Sequence, residues 1–332
     1  MIVTEDVVLG EITVPSGELI LMDGGYLGLW SGSRAPEEVR PDDTPPGFDF
    51  EVVGPDAEAA ARSFNRQSGR TLYDIPEHAA AAFIELFEDH CRQLGYQAEL
   101  RAFDHQIPHR ERARRAIAGG DPNFLLHGVS VVPIGGLPTN RPLVVTARAT
   151  DDEDWAHIRI KVSDEPVAGT RELGHIGVDW ARFALADADA LSAWEHEKPI
   201  DGLADVVFWG RDEVEIATEF GAPRTDTPGD EHFGWLNLPV AEAYQKALAL
   251  DARHGAEPER RFTYDFRPHS HHWRVMADVR GSDNEAATIE VGGAWILFAM
   301  TTVGDGFFPV RVDHDADGAP VAIHIRINDP HE

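Results

Sequence analysis

The chain has 332 residues, of which 58 are acidic and 29 are Lys or Arg, giving a formal charge of −29. That charge repels nucleic-acid phosphates and anionic membrane surfaces and argues against both as partners, while the length suits about two domains, each able to bury its own core. No apolar run reaches the roughly 18 residues of a membrane span, the acidic N-terminal stretch lacks the form of a signal peptide, and a lone cysteine, Cys91, fits a reducing cytoplasm.

Taken in chain order, Ile12, Val14, Leu19 and Leu21 alternate around Ser16-Gly17, which predicts a hairpin over 11–22. Residues 31–47 are rich in Pro and acidic side chains and read as an exposed loop. A short strand over 48–53 ends at Gly54, and Asp56 is placed to cap an Ala-rich helix running to Phe64. Pro76 suits the first turn of the next helix and Gly95 its end. Between them Ala80, Phe83, Ile84, Phe87, Cys91 and Leu94 recur at helical spacing, a stripe that buries one face and makes Cys91 a core residue rather than a nucleophile. A strand (99–104) and a third helix (109–118) follow, and 164–172 reads as the link between domains. Beyond it the spacing predicts a helix from Pro239 to about His254, a strand at 260–266 and a helix at 270–280. Strands at 287–291 and 294–302 and a hairpin 306–312/320–327 close the chain.

The chain also repeats itself. Residues 9–30 and 173–194 align without a gap, with identities at Leu9/Leu173, Gly10/Gly174, Ile12/Ile176, Val14/Val178, Leu21/Leu185, Asp23/Asp187, Leu27/Leu191 and Trp30/Trp194. Ordinary composition would give only one or two matches over such a stretch. Further correspondences keep the order: Gly54-x-Asp56 through Phe64 with Gly210-x-Asp212 through Phe220, Ile75-Pro76 with Leu238-Pro239, Pro108-His109 with Pro268-His269, and Ile158, Ile160, Val162 with Ile323, Ile325, Ile327. The offset drifts between 156 and 165, as it does when loops vary and elements persist. Two copies are too few for a solenoid. The expected fold is therefore α+β. Two tandem homologous domains, 1–165 and 166–332, would each form an antiparallel sheet with about three helices, related by a pseudo-two-fold axis.

The candidate chemistry centres on 265–273, Asp-Phe-Arg-Pro-His-Ser-His-His-Trp. His269, His271 and His272 with Asp265 supply the nitrogen and oxygen donors a divalent metal such as zinc takes, though not at the i,i+4 spacing of a helical pair. His269 or His271 with Asp265 and Asp305 could equally serve acid–base catalysis, since imidazole titrates near neutrality. A capping or packing role is the plainer reading, because a Pro-His junction recurs in both halves. Arg110, Arg112, Arg114 and Arg115 form the only dense basic cluster, which with His105 and His109 could hold a phosphate or carboxylate. Arg267 is a further ligand-binding candidate. Asp313-x-Asp315-x-Asp317-Gly318 opens like a calcium loop but has His324 where the bidentate Glu belongs, which favours a hairpin turn. The Trp30/Trp194 equivalence favours packing over ligand stacking. No GxSxG, HExxH, CxxC pair or P-loop is present, and no cofactor is predicted.

The segments VPSGELILMD (14–23) and GDGFFPVRVDHDADGAPVAIHI (304–325) resemble a bacterial family known as domain of unknown function number 4241, a resemblance that covers about a third of the chain and implies no activity. GYLGLWSG (25–32) is similar to bacterial toxin-immunity proteins, which are acidic and cytoplasmic and bind their toxin. The expected function is thus a cytoplasmic bacterial binding protein that engages a basic protein partner. The alternative is an enzyme, or a protein of small molecules or metals, that works through 265–273.

Overall fold

The computed structural model describes residues 6–40, 45–64, 69–119, 123–150, 154–225 and 232–328, so part of the expected 31–47 loop (41–44) lies outside the described residues. The fold is mixed α+β with four antiparallel sheets. The first half runs β1 (Val7–Ile12), β2 (Leu19–Asp23), β3 (Gly47–Val53), α1 (Ala57–Phe64), β4 (Thr71–Pro76), α2 (Ala80–Leu94), β5 (Glu99–Ala102), α3 (His109–Gly119), β6 (Phe124–Leu126), β7 (Val129–Ile134), β8 (Leu143–Ala149) and β9 (Trp155–Lys161). The same order of strands and helices then recurs as β10 (Gly169–Val178), β11 (Arg182–Asp187), β12 (Leu203–Trp209), α4 (Glu213–Phe220), β13 (Phe233–Pro239), α5 (Val240–Ala256), β14 (Thr263–Pro268), α6 (His271–Gly281), β15 (Ala286–Val291), β16 (Ala294–Met300), β17 (Gly306–His314) and β18 (Pro320–Arg326).

The compact units do not follow the division at 165. One comprises residues 1–193 and 290–332, and the other Trp194–Ile289. The reason is strand pairing across the halves. One six-stranded sheet has the order β1-β8-β9-β18-β17-β10, and a second has the order β15-β16-β11-β2-β7-β6, with the chain re-entering the first unit through β15. In the first sheet β9 pairs with β18, Arg159 opposite His324. In the second β2 pairs with β11, Leu21 opposite Leu185. Each unit also holds one three-stranded sheet, β4-β3-β5 in the first and β13-β12-β14 in the second.

The matched residues of the two halves are those that build this framework. Ile12, Val14, Leu21, Leu27 and their counterparts Ile176, Val178, Leu185 and Leu191 are buried. Gly10 and Gly174 take positive φ where the register of β1 on β8 and of β10 on β17 shifts, the geometry of a β-bulge that glycine accommodates without strain. Asp23 accepts backbone N–H bonds from Gly25, Asp179 and Trp180, and Asp187 accepts them from Ser16, Asp189 and Ala190. Each buried carboxylate therefore ties down a turn from the other half, satisfying N–H groups that no strand partner reaches.

Several local expectations change. The segment 11–22 is a corner rather than a hairpin, because β1 pairs with β8 while β2 enters the other sheet between β11 and β7. Asp56 does not cap α1 through its carboxylate, which accepts the Gln97 N–H at 2.8 Å. The expected link 164–172 already contains the start of β10, and Ser31 and Pro36 in the expected exposed loop are buried. In α2 the stripe packs Ala80, Phe87 and Cys91 against Phe50, Val52 and Leu72, and burial pushes the Cys91 thiol up. Leu94 is exposed, since the helix ends there at Gly95 in the left-handed conformation. The Asp315–Gly318 stretch is the β17–β18 turn, with Asp315 accepting the Asp317 and Ala319 N–H groups.

Candidate functional site

A cleft of about 410 Å³ opens in the second unit between the end of β14, the β13 residues Leu236 and Asn237, and the exposed side of α6. Its lining brings together Asp201, Asp205, Arg267, His269, Trp273 and Arg274, with Asp278 and Arg280 further along the helix. The sequence builds it simply. Pro268 ends β14, Ser270 caps α6 by accepting the Trp273 N–H, and His269 is fixed at the junction by backbone bonds to Leu203 and Ile200.

His269 is held by two carboxylates. Its Nδ1 lies 3.0 Å from Asp201 Oδ2 and its Nε2 lies 3.0 Å from Asp205 Oδ1. Burial lowers its basicity, but the two carboxylates outweigh burial and hold its pKa above the ordinary histidine value. When the ring is protonated both nitrogens donate to these carboxylates, and it then has no lone pair to offer a metal or a substrate proton. Asp201 also pairs with Arg274, whose side chain is 43% exposed, and Asp205 accepts the Asn237 N–H at 2.7 Å. Arg267 pairs with Asp265 at 3.1 Å, and its guanidinium sits over the Trp209 and Trp273 rings.

The other expected site residues go elsewhere. His271 stacks on Trp194 with ring centroids 5.5 Å apart and accepts the Glu195 N–H at 2.9 Å, and burial lowers its pKa. His272 stacks on His196, centroids 4.2 Å apart. The three histidines thus face three different sets of neighbours. Among the described residues no group of three or more His, Cys, Asp and Glu side chains is arranged to hold a metal ion. Asp305 lies in the first unit, where it accepts the Ala181 N–H.

In the first half Arg110 and Arg112 of the basic cluster are turned inward, while Arg114, Arg115 and His105 are exposed. Arg110 is 4% exposed and pairs with Glu18 and Asp189. His109 is fully buried against Trp30, ring centroids 5.6 Å apart, and accepts the Ser31 N–H at 2.9 Å; burial, then the Arg112 charge, holds its pKa well below the ordinary value. These contacts show which histidines share a setting. His109 with Trp30 and Ser31 has the geometry of His271 with Trp194 and Glu195, so the Pro-His alignment made on sequence is off by two residues at this point.

Sequence reasoning named Arg112 but missed its two partners, Asp49 and Asp74, with which it forms a buried triad. Arg112 is 0% exposed, 3.1 Å from Asp49 and 2.8 Å from Asp74. It also donates to the Ile107 and Leu125 carbonyls and lies over the Tyr73 ring, 4.5 Å from its centroid. Burial alone would raise the Asp74 carboxyl, but the guanidinium outweighs it and lowers its pKa. Asp205, Asn237 and Arg274 were missed in the same way. Asp74 and Asn237 each directly precede the matched Ile-Pro and Leu-Pro pairs, both take φ 56°, and their N–H groups bond Asp49 Oδ1 and Asp205 Oδ1. A signal was present one residue from the motif that was read.

Comparison with known proteins found no matching family model, no matching curated protein and no matching solved structure. No helix among the described residues is long and apolar enough to cross a membrane.

Proposed function

We propose that the chain is an internal duplication that acts as a binding protein, with the cleft beside His269 as its ligand site. The duplication is supported by the recurring element order, by sheet orders that run symmetrically outward from β9/β18 and β2/β11, and by the paired contacts of His109 and His271. The observation that carries the ligand reading is the different fate of one arginine. Arg112 and Arg274 each stand three residues after the helix-starting histidine; Arg112 is completely buried between two carboxylates, whereas Arg274 is half-exposed beside an open cleft. Clefts of this size, with a few polar groups converging on an aromatic side chain, are where small ligands bind. Binding suits the site better than acid–base catalysis, since both His269 nitrogens are already engaged.

A second reading rests on the charge of −29. An acidic surface speeds encounter with a basic protein, and the resemblances to family 4241 and to toxin-immunity proteins fit that role in a bacterial cytoplasm. A native mass spectrum of protein purified from its host at low salt separates the two. A bound small molecule, lost when the cleft is filled by Ala277→Trp, supports the ligand reading. A basic protein released by salt supports the second. A bare mass that stays bare after incubation with host extract counts against both.

A further inference from the structure

The corresponding positions of the two halves carry different charges. Counting from the shared helix starts at His109 and His271, Ile107 corresponds to His269, Glu111 to Trp273, Arg112 to Arg274 and Ala118 to Arg280. Asp49 corresponds to Asp205 and Asp74 to Asn237 by their shared backbone bond and dihedral. Passing from the first half to the second, two acids (Asp74, Glu111) become neutral, and two apolar residues (Ile107, Ala118) become basic. The changes Arg110 to His272, Arg114 to Met276, Arg115 to Ala277 and Ala116 to Asp278 run the other way, which leaves Arg274 and Arg280 as the arginines of the second helix.

These changes act on one arginine. In the first half Arg112 is the counter-ion of two buried carboxylates, so its charge is consumed inside the fold. In the second half only Asp205 remains of that pair, and His269 lies against it at 3.0 Å. The helix arginine is thereby released from the interior. Arg274 stands at the cleft, anchored at one edge by Asp201, with Arg267, Arg280 and His269 also in the lining. In a chain with twice as many acids as bases, the lining sets three arginines and an imidazole against three aspartates (Asp201, Asp205 and Asp278), so that here the acids do not outnumber the bases. A guanidinium presents five N–H donors in a planar fork that matches an oxyanion, and one carboxylate does not use them all. Leu236 and the Trp273 ring give the cleft an apolar and aromatic wall.

We infer that this cleft binds a small organic oxyanion, a carboxylate or phosphate joined to an apolar or aromatic body, with Arg274 as the principal anion ligand. This rests on the cleft being the ligand site proposed above. Four probes of similar size test it by calorimetry on the full chain: benzoate, phenyl phosphate, neutral benzamide and cationic benzamidine. Binding of benzoate or phenyl phosphate is expected, weakened about tenfold or more by Arg274→Gln, only partly restored by Arg274→Lys, and unchanged by Arg115→Gln on the first-half helix. The thermal midpoint of each variant reports that it is folded. Benzamidine binding in preference to the anions, or anion binding indifferent to Arg274→Gln, overturns the oxyanion assignment. If benzamide or benzamidine binds and is lost on Ala277→Trp, the cleft stands as a ligand site and only its charge preference has failed. If no probe binds at millimolar concentration, both the assignment and the ligand site fail.

Discussion

Arg112 and Arg274 differ in what their removal would do. Taking away Arg112 strands two carboxylates in the interior, and Arg112→Met is expected to cost about 3–5 kcal/mol in urea denaturation. Arg274→Met removes a half-exposed pair and is expected to cost less than about 1 kcal/mol. Equal costs would mean that the two sites are not opposite in character. His269 makes a prediction with a definite sign. Its folded pKa is raised above the unfolded value by Asp201 and Asp205, so its contribution is complete below the unfolded histidine pKa and disappears as pH rises through the folded one. The stability gap between the wild type and His269→Gln is therefore expected to narrow from pH 6 to pH 8.5. A gap that widens over that range would contradict the double-carboxylate clamp. His109 works in the opposite sense, being buried and kept neutral, and the comparison with His269→Gln cancels its effect.

Among the elements, the Gly-x-Asp turns were the most legible. Gly54 and Gly210 have φ of 121° and 136°, and a Cβ on either would lie within 3 Å of the backbone of a neighbouring strand lead-in, at Gln97 and at Arg261. Asp56 and Asp212 then accept the Gln97 and Arg261 N–H groups, each at 2.8 Å. Gly54→Ala and Gly210→Ala are each expected to cost well over about 1 kcal/mol. Gly255→Ala, in α5 with open space around it, should be neutral or stabilising by up to about 1 kcal/mol. Thermal or urea midpoints read all three. These turns could be found because Gly and Asp have few uses at such a spacing. Asp49 and Asp205 could not, since a lone aspartate between apolar residues says little in so acidic a chain. Nor could the partners of β9 and β2 be read, because alternating apolar residues fit any neighbouring strand with the same period. That is why 11–22 looked like a hairpin.

At the scale of the whole molecule, the two seams have a testable meaning. Leu21 faces Leu185 and Arg159 faces His324, and under the proposed duplication each of these is a residue facing its own counterpart. A first half alone would expose β2 and β9 as unpaired edges that match a second copy of themselves. Residues 1–165 expressed alone are expected to elute as a homodimer in light scattering. A folded monomer would show that neither seam is self-complementary.

The chain leaves the first unit at Ala193 and returns at Glu290. A Cβ built on Gly292 would lie 3.2 Å from the Ala193 Cβ, so departure and re-entry are neighbours. The intervening segment, cleft included, is therefore a detachable cassette in topological terms. A short linker joining Ala193 to Glu290 would remove most of the edge strand β15 and should leave the remaining strands of the two large sheets foldable. Such a deletion would yield a scaffold with the acidic framework but without the cleft beside His269, and a different cassette could be spliced into the same gap.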